Sequence, residues 1–189
     1  IAIVGADLLA ASGNVALSGQ SQTSSGVLVQ RPGDGDGGIY TTSGGITLTG
    51  IGSYSGSSAD LPANGVTIDA ATLQSGDGTI AVPGRRNAGG PEPGAGVALV
   101  NDALVTTLGA GRIEVTGEHA GNGAGVFIAD REVPDSSFPI AQSAGRIDGN
   151  NNVVLRAAND GTTDALVLAG AGTVRAGNGL HLRPGGVDA

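Results

Sequence analysis

The chain has 189 residues, with 36 Gly, two Tyr, two Phe and no Trp, Met or Cys; this excludes a disulfide framework and a core of large interlocking side chains. Its 17 acidic residues outweigh nine Arg and no Lys, giving a net charge of −8 that argues against nucleic acid as a partner. No apolar run reaches the roughly 18 residues of a transmembrane helix, so no membrane insertion is expected.

The first elements met are Ile1/Ile3, the position Leu8 and the pair Val15/Leu17. Apolar residues at i and i+2 lie on one face of a strand and leave the middle residue outside. The same three elements return as Val27/Val29, Ile39 and Ile46/Leu48, then as Val66/Ile68, Leu73 and Ile80/Val82. Next come Val97/Leu99, Val105 and Ile113/Val115, followed by Val126/Ile128, Ile147 and Val153/Leu155. The last full set is Leu166/Leu168, Val174 and Leu180/Leu182, and Val187 begins another. A period of roughly thirty residues with three strands per repeat predicts an all-β solenoid, a parallel β-helix of about six coils with loop insertions. At about 4.8 Å per coil, six coils make a rod roughly 29 Å long. A β-sandwich is the alternative, but it calls for hairpin turns and larger aromatics and does not predict three columns sharing one period. The repeat spans the chain and is in mid-coil at both ends, so one domain is expected, a segment of a longer solenoid.

The second and third strands of every coil are joined by a short corner: Ser12-Gly13-Asn14, Gly44-Gly45, Gly76-Asp77-Gly78, Gly109-Ala110-Gly111, Asn150-Asn151-Asn152 and Gly177-Asn178-Gly179. Gly and Asn tolerate positive φ, so a tight turn repeated in kind is expected there. Extra length goes into the other connections: 31–38, 52–64, 84–94, 117–125 and 130–146. Loops of this kind leave the stack intact, and any site is expected on them.

Candidate chemistry is sparse. The run Gly33-Asp34-Gly35-Asp36-Gly37-Gly38 resembles a Gly/Asp calcium-binding nonapeptide, with Asp34 and Asp36 as oxygen ligands. It occurs once, and the twelfth position counted from Asp34 is Gly45 and not Glu, so a plain turn is the preferred reading. Polar residues follow the first strand of successive coils at Gln30, Asp69, Asn101 and Asp130, with Asp102 and Arg131 beside them. Such a ridge is where a β-helix hydrolase would place paired carboxylates, yet turn-forming residues are equally expected at a corner. His119 and His181 fall in different coils and lack ligand partners at metal-binding spacing, so both are read as solvated. The Gly-x-Gly patterns open no helix and are read as corners; no cofactor is expected.

One surface feature stands out. The outward residues of the first strands run Ala2, Leu28, Thr67, Ala98, Phe127, Val167 and Asp188, which places Ala98, Phe127 and Val167 in an apolar strip across three adjacent coils. Either the insertion 130–146, with Val133, Phe138 and Ile140, folds back over the strip, or the strip is a contact surface.

Coils such as Gly111-Arg112-Ile113-Glu114-Val115-Thr116-Gly117 and Ala144-Gly145-Arg146-Ile147-Asp148-Gly149-Asn150 resemble the filamentous-haemagglutinin-like exoproteins, with autotransporter passengers as cousins. The resemblance is one of repeat style along nearly the whole chain. It implies a right-handed parallel β-helix, exported through an outer-membrane transporter and displayed or released as an extracellular fibre of a Gram-negative bacterium. It carries over no catalytic residue. The expected role is structural and adhesive, a fibre or stalk whose partners are a host surface, a neighbouring cell or a glycan. A subunit that self-associates end to end is the alternative, and a polysaccharide-processing enzyme acting through Asp69, Asp102 or Asp130 comes third.

Overall fold

A computed structural model describes residues 1–33, 37–53, 63–87, 94–129 and 144–184. The first coil comprises β1 (Ala2–Val4), β2 (Asp7–Ala10) and β3 (Val15–Ser21), and the second β4 (Val27–Gln30), β5 (Gly38–Thr41) and β6 (Ile46–Gly52). They are followed by β7 (Val66–Asp69), β8 (Thr72–Ser75) and β9 (Ile80–Arg86), then by β10 (Ala95–Val100), β11 (Leu104–Thr107) and β12 (Ile113–His119). The last two coils are β13 (Ala124–Ile128), β14 (Arg146–Gly149) and β15 (Val153–Asn159), and β16 (Leu166–Leu168), β17 (Thr173–Ala176) and β18 (Leu180–Pro184). Corresponding strands pair in parallel from coil to coil, making three six-stranded sheets around one axis, a parallel β-helix. Parallel pairing throughout the described residues removes the sandwich, which needs antiparallel neighbours.

The register matches the apolar columns residue for residue. In the first sheet Ile3 lies beside Val29, Val29 beside Ile68, Ile68 beside Leu99 and Ile128 beside Leu168. In the second sheet the column is Leu8, Ile39, Leu73, Val105, Ile147 and Val174. These inward residues form one continuous core in which Val29, Ile39, Leu48, Ile68, Leu73, Leu99 and Ile113 are wholly buried. Each layer stacks like on like, so burial is obtained with no large side chain.

The corners work differently from the expectation. None of the glycines at 13, 44, 45, 76, 78, 109, 111, 177 and 179 has a positive φ; the left-handed residues of the described chain are Gly5, Gly33, Ala70, Asn101, Asp102, Gly121 and Gly170. The corner glycines are required by close approach instead. A Cβ on Gly44 would collide with the Gly13 carbonyl, one on Gly78 with that of Gly44, and one on Gly111 with that of Gly78. Polar side chains bond along the same corner: Gly45 N donates to Asn14 Oδ1 (2.7 Å), Ala110 N to Asp77 Oδ1 (3.0 Å) and Asn178 Nδ2 to Asn151 Oδ1 (2.7 Å).

The third sheet is longer than the sequence pairs suggest. Its strands continue through Gly19, Gly50, Gly84 and Gly117 to the column Ser21, Gly52, Arg86, His119 and Asn159. The first residues of 84–94 and 117–125, expected as loop, are therefore strand. At the glycines the coil narrows to backbone contact. A Cβ on Gly50 would strike the Gly65 carbonyl, one on Gly84 that of Gly96 and one on Gly117 that of Gly125. Beyond this waist lies a second interior compartment, into which the alternation of the strand turns Arg86 and His119.

Candidate functional site

The outward column of the first sheet is assembled as expected: Ala2 beside Leu28, Leu28 beside Thr67, Thr67 beside Ala98, Ala98 beside Phe127 and Phe127 beside Val167. Exposure divides the strip. Ala98 is 0% exposed and packs with Ala95, Val100, Ala124 and Phe127. The alternation puts it outside, and neighbouring side chains bury it. Thr67 is also buried, its Oγ1 accepting from Asn64 Nδ2 (2.8 Å) and lying 2.7 Å from Ser25 Oγ. Phe127 and Val167 remain half-buried. They floor an open cleft of about 270 Å³ together with Ala124, and Asn122, Thr163 and Asp164 stand on its rim.

The rim groups come from the turns that precede β13 and β16. Asn122 Oδ1 accepts from Thr162 N (3.1 Å), which ties one turn to the next, and the amide hydrogens of Asn122 have no acceptor among the described residues. Thr163 Oγ1 accepts from Asn159 Nδ2 (3.2 Å) and keeps its own hydrogen to donate. Asp164 is exposed and makes no ion pair among the described residues. The cleft thus offers an aromatic and aliphatic floor, two donors and one carboxylate. The covering role considered for 130–146 rests mainly on 130–143, which lie outside the described residues.

The acidic ridge is brought together only in part. Asp69 Oδ2 accepts from Gln30 Nε2 and Oδ1 from Asn101 Nδ2, both at 2.7 Å, so each carboxylate oxygen is engaged by a neighbouring coil. Asp102 instead faces Arg31 at 3.8 Å. The one-residue slip visible in the sequence is real: Asp69 lies beside Val100, and Asn101 follows it in the left-handed conformation (φ 53°), as does Ala70 (φ 54°). This is an amide–carboxylate ladder at a turn. Asp130 and Arg131, like the calcium candidates Asp34 and Asp36, lie outside the described residues. Among the described residues no three His, Asp or Glu converge as a metal site, and no helix is long and apolar enough to cross a membrane.

His119 was expected in solvent; it is 8% exposed, inside the second compartment. Its Nδ1 accepts from Gly123 N (3.2 Å), and its Nε2 has no hydrogen-bond partner among the described residues. Burial lowers its pKa below 6.5, and the nearby Arg86 guanidinium lowers it further. Arg86, 1% exposed, donates from Nη1 to the Ala63 carbonyl (3.0 Å). Gly94 and Gly123 leave the room these two side chains fill. The signal was present as the inward series Ile80, Val82, Gly84, Arg86 and its neighbour Ile113, Val115, Gly117, His119, masked by its polarity. His181 is exposed on β18, as expected.

No family model, curated protein or solved structure matches the chain.

Proposed function

We propose that this chain is a structural and adhesive segment of a secreted bacterial surface protein, serving as fibre or stalk. The observation that carries the reading is the in-register stacking of six coils around one apolar core, which lets length grow by repetition alone. A chain with no cysteine and mostly nearest-neighbour coil contacts can also fold coil by coil after export unfolded through a pore. The resemblance in repeat style to filamentous-haemagglutinin-like exoproteins supports the same role, and the acidic balance favours solubility outside the cell.

A second reading, a subunit that self-associates end to end, is favoured by the in-register parallel pairing itself, since strands that pair from coil to coil can pair in the same way from copy to copy.

Antibodies raised against the chain, applied to intact and to protease-shaved producing cells, test the proposal. Surface labelling that is lost on shaving, from a polypeptide several times longer than 189 residues, is the result expected of a stalk. Labelling from a polypeptide close to this length transfers the role to the self-stacking subunit. Antigen confined to the cell interior overturns both.

A further inference from the structure

We propose that the cleft over Phe127 and Val167 binds one neutral pyranose ring of a surface glycan. The inference deepens the adhesive reading and rests on it only for the source of the sugar. Its physical basis is the match between cleft and ligand, group by group.

At about 270 Å³ the cleft falls just below the range of about 300–1,000 Å³ typical of drug-sized ligands, so its occupant is small. The half-buried Phe127 lines the cleft, and the face of an aromatic ring carries a negative potential that attracts the polarised C–H bonds on the apolar side of a pyranose. Val167 and Ala124 extend that floor. At the rim the Asp164 carboxylate can only accept, whereas the Asn122 amide and the Thr163 hydroxyl have hydrogens to donate. A sugar hydroxyl does both, donating to Asp164 and accepting from Asn122 or Thr163.

Other occupants leave something unmatched. An apolar side chain would strip water from Asp164 and Asn122 without replacing its hydrogen bonds. An ammonium group has nothing to accept the Asn122 and Thr163 hydrogens. An anionic sugar meets Asp164 at the rim and a chain of net charge −8 around it.

Saturation-transfer NMR on the purified chain, with the methyl pyranosides of glucose, galactose, fucose and N-acetylglucosamine as probes, tests this. Transfer to ring C–H protons from at least one of them, with affinity in the millimolar range, is expected. Phe127→Leu keeps the apolar packing against Ala98 but removes the aromatic face, and Asp164→Ala removes an exposed acceptor; each should weaken binding at least about tenfold with little loss of Tm. Absence of transfer from every neutral pyranoside overturns the proposal, as do equal affinity in both variants or tighter binding of methyl glucuronide. Phe127-dependent dimerisation without sugar binding overturns it too and makes the cleft a protein contact. Sugar binding by a protein found inside cells would leave the site standing and remove the adhesive role, so the two failures are distinct.

Discussion

His119 and the waist glycines are the residues whose chemistry departs most from what their neighbours in sequence suggest. Burial and Arg86 hold the imidazole below its ordinary pKa of 6.5, so on acidification the unfolded chain takes up the proton first. The contribution of this residue is therefore fully retained above about pH 6.5 and declines as the pH falls below that value toward the lower pKa of the folded state. Thermal melts across that window should show the Tm falling with acid, and His119→Gln should flatten this part of the profile; identical slopes would mean the imidazole is not excluded from solvent. Gly117 fails for another reason. A Cβ there meets the Gly125 carbonyl, which is backbone and cannot swing aside, so Gly117→Ala should cost at least about 2 kcal/mol in denaturant unfolding. In the next coil the paired position is Ala157, and the opposing one is Ala165 in place of a glycine. There the two walls have room for methyl groups, so the waist is a property of particular coils.

At the level of elements, the corners hold the sheets in register and occupy polar residues that a list of motifs would assign to chemistry. Asp69 joins three coils through Gln30 and Asn101. Asp69→Ala leaves two half-buried amides without an acceptor and should lower stability by about 1–3 kcal/mol, whereas Asp69→Asn, which can still accept from one neighbour, should lose less. Equal losses would show that the ladder does not depend on the carboxylate. The hydroxyls of Ser75 and Thr107 do related work inside the corner, donating to the Gly44 carbonyl (2.9 Å) and the Gly111 carbonyl (3.2 Å). They satisfy turn carbonyls from within, which explains why polar residues occupy buried positions of the second sheet.

For the whole molecule, stability should be graded along the axis. Among the described residues strands β4–β15 pair on both sides, while β1–β3 and β16–β18 each pair on one side only. Hydrogen exchange of this chain should accordingly be slowest in the central coils and at least about tenfold faster in the outer ones, with each coil behaving as a unit. Uniform protection from end to end would instead indicate that the rod opens all at once. The same stacking puts the turns preceding β13 and β16 side by side, and thereby builds the cleft from coils some forty residues apart.

The sequence by itself determined the three columns and their partners, down to the neighbour of Ile39 or Val105, because an i, i+2 apolar pair repeated at a common period has few ways to be buried. It also determined the order Ala98, Phe127, Val167 on the outer face, which follows from strand alternation. Only the tertiary structure decided that Ala98 is covered, that Phe127 and Val167 floor a cleft, that Asp69 is bound by two amides and that Arg86 and His119 are inside. The reason is physical: periodicity records which face a side chain takes, whereas burial, hydrogen bonding and pKa depend on what the neighbouring coils bring against that face.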